Sequence, residues 1–241
     1  MNSANIIALK ELRGFFDSLI AYIIVVVFLG LSGFFTWMYG TDIFLRNQAD
    51  LQVFFAVAYW TLFFIIPAIT MKMFAEENKT GTIELLLTKP VRDISIVFGK
   101  FLACLMLISV ALLLTLPYYF TVARIGPIDH SAVWSGYFGL LLMSSAYISI
   151  GLYTSSLTNN QIVAFLLALF IGLFFHILTD VLAASFTGIT GEIFSYLSLG
   201  THYDSITRGV IDSRYLVYFL SLIFLPLYLT GLNLSKRNLP A

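Results

Sequence analysis

Six apolar runs, each about as long as a bilayer is thick, constrain this chain more than any other feature of it. A hydrocarbon core about 30 Å thick takes ~20 mostly apolar residues as a helix. Runs of that kind occupy residues 19–39, 51–71, 101–123, 132–157, 162–182 and 215–234. In lipid a backbone must satisfy its own N–H and C=O groups, which an isolated span does only as a helix. The pattern predicts an all-α integral membrane protein, a single transmembrane domain over residues 1–241. Composition points the same way: only 11% of the 241 residues are charged, against ~25% in soluble domains. The first run is longer than the ~7–15-residue apolar region of a signal peptide. It is followed by Gly40-Thr41-Asp42, which offers no small-x-small cleavage pattern, so it is expected to stay as an anchor.

Lysine and arginine set the expected orientation, because cytoplasmic loops retain them. With both termini inside, the cytoplasmic segments hold Lys10, Arg13, Lys72, Lys79, Lys89, Arg92, Lys100, Lys236 and Arg237. The outer segments hold only Arg46, Arg124, Arg208 and Arg214. Both termini are therefore placed in the cytoplasm. Lys plus Arg and Asp plus Glu each total 13, which leaves no basic excess to neutralise phosphates and argues against nucleic acid. The single cysteine, Cys104, excludes an intrachain disulfide and any multi-cysteine metal site.

Four stretches outside or at the edges of the spans carry further information. Residues 4–18 place Ala8, Leu9, Leu12, Phe15, Phe16 and Leu19 at helical spacing, with Lys10, Arg13 and Asp17 on the other face. That predicts an N-terminal interfacial helix on the cytoplasmic leaflet, either a plain anchor or one whose polar face meets a partner. Residues 72–100 form the only sizeable cytoplasmic loop, KMFAEENKTGTIELLLTKPVRDISIVFGK. Gly81 should end the helix leaving span 2, and Thr82 can cap a short new one with Glu84 in its first turn. Ile83, Leu86 and Leu87 give that helix an apolar stripe, Pro90 stops it, and Asp93 can cap the helix entering span 3. An apolar-faced short helix suits a groove on another protein; the alternative is a solvated connection.

The segment 183–214 is too apolar for a free loop and too broken by Gly188, Gly191, Gly200 and Gly209 for a span. Two short helices re-entering the outer leaflet fit it, as does a pair lying on the surface. His176 and Asp180, four apart on span 5, share a face and could join His202, Asp204 and Arg208 in an outer polar cluster. A metal site at these residues is conceivable, but a structural cluster is the better reading, since a three-ligand site needs a geometry that sequence does not show. Ser145, Ser149, Gly151 and Ser155 are small-xxx-small pairs that favour close packing of span 4 within the chain. Pro67, Pro117 and Pro226 should bend their spans, and the many Phe and Tyr residues read as lipid-facing or interfacial bulk.

The loop residues carry a family resemblance. Phe74-Ala75-Glu76-Glu77, then Gly81-Thr82-Ile83-Glu84-Leu85-Leu86-Leu87-Thr88-Lys89-Pro90-Val91, then Gly99-Lys100, resemble the loop between spans 2 and 3 of type-2 ABC exporter permeases. The six spans, amphipathic N-terminal helix and outer segment agree, so the resemblance covers the whole chain. It implies that the loop is a coupling helix docking into an ATPase subunit through Glu76, Glu77, Gly81, Thr82, Glu84, Leu86, Thr88 and Pro90. It also implies two copies of that ATPase, which carries ATP and Mg, and a second permease half, identical or paralogous. This chain itself would bind no cofactor and would not be an enzyme. Consistently, it has no G-x-x-x-x-G-K-[ST] phosphate loop.

Residues 197–206, LSLGTHYDSI, followed by Arg208-Gly209-Val210-Ile211-Asp212, look closest to the gliding-motility-associated permease of bacteria. That narrower likeness implies an inner-membrane location and a membrane partner with a large periplasmic portion. Two other readings share much of the pattern: a non-transporting membrane anchor of a motility or secretion complex, and a secondary transporter. The second would need midplane charges or a repeat of broken helices, which the spans do not show.

Overall fold

The computed structural model describes residues 3–38, 49–82, 92–209 and 212–237. Twelve α-helices lie within them: α1 Ser3–Asp17, α2 Leu19–Trp37, α3 Gln52–Thr70, α4 Lys72–Thr80, α5 Asp93–Leu113 and α6 Leu116–Ile125. They continue with α7 His130–Leu157, α8 Gln161–Leu173, α9 Thr179–Ser185, α10 Ile189–Leu197, α11 Leu199–Thr207 and α12 Ser213–Arg237. One π-turn, Phe174–Leu178, joins α8 to α9. Among the described residues there is no strand. Six helical stretches are long and apolar enough to cross a bilayer: Leu19–Trp37, Gln52–Thr80, Asp93–Ile125, His130–Leu157, Gln161–Ser185 and Ser213–Lys236. The all-α reading with six spans holds.

The bundle is built around α7, which touches α3, α4, α5, α8, α11 and α12. A helix surrounded on all sides cannot be amphipathic, and α7 is instead rich in Ser and Gly, which let neighbours approach closely. Ser149 Oγ donates to the Leu222 carbonyl of α12 at 3.1 Å, and Gly151 lies against Thr70 of α3. The small-residue pairs of span 4 thus serve packing within the chain. The peripheral spans are patterned the other way. α2 buries only Ala21, Ile24, Phe28, Ser32 and Thr36, and α8 only Ala164, Ala168 and Gly172. Val26, Phe34, Ile162, Phe170, Phe224 and Leu225 point outward, as a hydrocarbon solvent allows.

The three prolines have different outcomes. Pro117 follows a break at Leu114–Thr115, where the Thr115 hydroxyl binds the Leu112 carbonyl at 2.6 Å. Pro67 precedes the α3–α4 junction at Met71. Pro226 lies inside an unbroken α12. The aromatic residues also depart from expectation, because many are structural rather than lipid-facing. Tyr137, Tyr147 and Tyr203 are buried, and their hydroxyls bond to Thr115, His176 and the Phe55 carbonyl.

Candidate functional site

Two regions at opposite ends of the bundle gather polar side chains. At the end where the last turn of α12 meets Asp93, α1, α4 and the start of α5 converge. Gly99 on α5 makes this convergence close: a Cβ there would sit 2.8 Å from Ile7 Cβ and 2.9 Å from the Ala4 carbonyl oxygen. The next residue, Lys100, is 1% exposed. Its Nζ donates to the Met73 carbonyl at 2.8 Å and to Glu77 Oε1 at 2.7 Å, with Glu11 Oε1 at 3.6 Å. It also lies 5.0 Å from the centre of the Phe74 ring. One ammonium therefore ties α1, α4 and α5 together.

The loop charge expected at Lys100 is thus a buried clamp. The reason is that α5 begins at Asp93, two turns before the apolar run, and carries Lys100 inward to two carboxylates. Asp93 stands in the first turn of α5 rather than at its cap, which is Arg92. Its carboxylate instead accepts from Ser235 Oγ of α12 at 3.0 Å.

A second brace reaches α4 from α7. At the α3–α4 junction the Phe74 and Ala75 N–H groups both donate to Ser155 Oγ at 3.0 Å. The same hydroxyl donates to the Met71 carbonyl at 2.8 Å. A side chain inserted into a helical ladder in this way marks a bend. Asn78 Nδ2 adds a bond to the Thr158 carbonyl at 3.2 Å. α4 ends at Gly81, whose φ of 70° is left-handed and suits a residue without Cβ.

Of the coupling residues expected from sequence, Glu77 is in the clamp, Glu76 is exposed on α4 and Gly81 closes it. Thr82 is exposed, with its hydroxyl 2.9 Å from that of Thr80. Glu84, Leu86, Thr88 and Pro90 lie outside the described residues. Lys10 and Arg13 are exposed on α1, while Ala8 and Phe15 on its other side are buried within the chain.

At the opposite end, the first half of α3, the start of α7, the π-turn, α9 and α11 line a half-open cavity of about 740 Å³. Among the described residues, Asp50, Asp129, Asp180, Asp204 and Arg208 are the Asp, Glu, Lys or Arg side chains that line it. Asp129 Oδ1 caps α7 by accepting from the Ser131 and Ala132 N–H groups. Asp180 Oδ1 accepts from Ser198 Oγ and, at 3.3 Å, from Thr201 Oγ1, which fastens α11 to α9. Burial pushes the Asp204 carboxyl above its ordinary value; Arg208 opposes the rise and Asp180 adds to it.

Aromatic rings form the rest of the wall. Tyr203, Tyr59, His176 and Phe63 stack in a column with successive centroid separations of 4.7, 4.0 and 4.5 Å. Trp60 meets His176 edge-on at 4.6 Å. His176 Nδ1 bonds the Tyr147 hydroxyl at 2.6 Å, and the ring lies in the π-turn, a geometry that often marks functional positions.

The structure therefore divides the expected outer cluster. His176, Asp180, Asp204 and Arg208 face one cavity, whereas His202 does not line it. His202 Nε2 pairs with the Tyr196 carbonyl at 2.9 Å, and the ring packs on Tyr215 and Tyr218. Burial lowers its pKa, against the opposing pull of that carbonyl. No grouping of three His, Cys, Asp or Glu side chains suited to a metal occurs among the described residues. Sequence reasoning missed Tyr59 and Trp60, in the middle of the 51–71 run, and Tyr203 in the outer segment; none carries a signal beyond being aromatic.

The six apolar spans and the charged brace at one end define a multi-pass α-helical membrane protein. The family model described as ABC-2 family transporter protein matches residues 5–232. The chain belongs to that family and is its membrane component, a permease. No curated protein matches the chain significantly. Membership implies a partner ATPase, and a permease of this family is generally not catalytic itself.

Proposed function

We propose that this permease is the path-forming half of an ATP-driven exporter, coupled to a separate ATPase subunit through the loop 72–100, with Glu76, Glu77, Gly81, Thr82, Glu84, Leu86, Thr88 and Pro90 at the contact. The observation that carries the reading is the bracing of α4. Lys100, Ser155 and Asn78 hold that helix to α5 and α7, and it ends on Gly81, directly before the apolar coupling stripe. A segment meant to receive force from a partner needs a stiff mount, and α4 supplies one. Two such chains, or this chain and a paralogue, would enclose the path, with ATP and Mg held by two ATPase copies. The lysine and arginine distribution supports cytoplasmic termini, and the resemblance of the outer segment implies a bacterial inner membrane. A role in gliding motility, with a periplasmic-facing membrane partner, is the narrower form of the proposal and rests on the resemblance of residues 197–212.

The test is to tag the chain, purify it in mild detergent from its native host, and identify its partners while assaying ATP hydrolysis. Recovery of an ATPase subunit that is lost on Leu86→Asp is the expected result. A chain recovered alone in several detergents would return the secondary-transporter and anchor readings to first place, and an ATPase retained by the variant would overturn the assignment of the coupling residues.

A further inference from the structure

We infer that the helical hairpin α9–α10 is a gate on one side of the half-open cavity, hinged at the π-turn of span 5 and held shut by Asp180. The hairpin is lightly held, since α9 buries only Thr179 and α10 only Gly191. The next helix, α11, is by contrast seated in the bundle through Leu199, Tyr203 and Ile206. Its Tyr203 hydroxyl also donates to the Phe55 carbonyl of α3 at 3.2 Å. Segments with few buried contacts open before the rest of a fold, so motion at this end belongs to α9–α10. The two legs move as one body: Gly191 lies against the Phe186 and Ala183 carbonyls, and Phe186 stacks on Phe194 at 6.0 Å.

The hinge is built into the backbone. In the π-turn the Thr179 N–H reaches back five residues to the Phe174 carbonyl. The Phe175 carbonyl, its partner in an α-helix, is taken instead by the Thr179 hydroxyl at 3.2 Å. The ladder is already interrupted here, and π-bulges are places where helices bend. His176 fixes the near side of the hinge to the bundle. Its ring lies between Tyr59 and Phe63 of α3 and bonds to the Tyr147 hydroxyl of α7.

Asp180, two residues past the π-turn, is the latch. Its Oδ1 accepts from Thr201 Oγ1 of the seated α11 and from Ser198 Oγ at that helix's cap. Gly200 leaves the carboxylate its space, because a Cβ there would stand 2.5 Å from Asp180 Oδ2. Hydrogen bonds to a carboxylate are strong, yet these two part without unpacking any core side chain. His176, Asp180 and Gly200 all line the cavity, so drawing Asp180 away from α11 opens the wall between α9 and α11. At its other foot the hairpin stays attached, with the Leu197 carbonyl accepting from the Tyr218 hydroxyl at 2.6 Å. The motion is therefore a swing.

The test measures spin-label distances on the purified full-length chain in lipid nanodiscs, in a Cys104→Ala background. Ser131→Cys on α7 with Ser185→Cys at the end of α9 reads the gate. Ser131→Cys with Ser205→Cys on α11 reads the seated helix. Asp180→Ala, and separately Ser198→Ala with Thr201→Ala, should broaden the first distance and shift it by about 4 Å, the arc of a ~20° bend over the roughly 10 Å from hinge to label. The second distance should stay as it is. Deleting Ile177 removes the extra residue of the π-turn and leaves an unbroken α-helix, so adding this deletion to Asp180→Ala should suppress the shift. An unmoved Ser185 label in both latch variants would overturn the gate. A shift that survives the deletion would overturn the hinge, and a Ser205 label that moves as far as Ser185 would overturn α9–α10 as the moving body. None of these measurements needs an ATPase, so a chain recovered without one would count against the exporter reading alone.

Discussion

Replacing Lys100 by Met removes the ammonium that joins three helices and keeps most of the side chain's volume. Two carboxylates are then left facing each other beside the Met73 carbonyl. Breaking one side of a buried ion pair costs about 3–5 kcal/mol, because the surviving charge stays uncompensated. Glu77 and Glu11 are each about one-fifth exposed, at 20% and 21%, so water can reach them in part. The expected loss is therefore at the lower end, about 3 kcal/mol, or roughly a hundredfold in the folded-to-unfolded ratio. Removing both charges, as Lys100→Met with Glu77→Gln, should restore at least half of the loss, since a neutral amide tolerates the pocket better than an orphan carboxylate. Chemical unfolding of the four proteins in one detergent gives the double-mutant cycle. A Lys100→Met cost below about 1 kcal/mol, or a double variant no better than the single, would refute the claim that this pair is a buried clamp.

Two further outcomes follow from the packing and protonation described above. Gly99→Val should lift α1 from α5, since its Cβ has no room against Ile7 and Ala4. The cost is about 1–3 kcal/mol, with faster protease cleavage within residues 3–17; unchanged cleavage would contradict the close approach. For His202 the folded-state pKa is depressed by burial, so above the unfolded value of about 6.5 both states are neutral and its contribution is complete. As pH falls below that value the unfolded chain takes up the proton first, so apparent Tm should drop more steeply than in His202→Phe. Parallel pH profiles of the two proteins would remove His202 as the cause.

The spans were legible because a bilayer demands a length and a polarity that sequence displays directly. The deep burial of the fourth span was also visible in its Ser and Gly, which a lipid-facing helix has no need of. The Lys100–Glu77 pair was not legible as a pair. Its members are 23 residues apart, and counting positive charges treats every lysine near a span end as solvated. Grouping His202 with Asp204 failed for a reason available in principle. Two residues apart on a helix they point to nearly opposite sides, whereas Asp204 and Arg208, four apart, share a face. What hid this was that the short helices expected in 183–214 carried no bounds, so no axis was set for residues 199–207. The π-turn around His176 left no mark in composition at all, because one residue of extra winding changes no side chain.

The Ser155 hydroxyl sits where the ladder between α3 and α4 opens, and it belongs to the helix at the centre of the bundle. In the coupling proposed above, a push on α4 would consequently not be delivered along span 2 alone. It would arrive sideways, through Met71, Phe74 and Ala75, at the one span that touches most of the others. The second and fourth spans would then behave as a lever and its fulcrum, with a single hydroxyl as the pin.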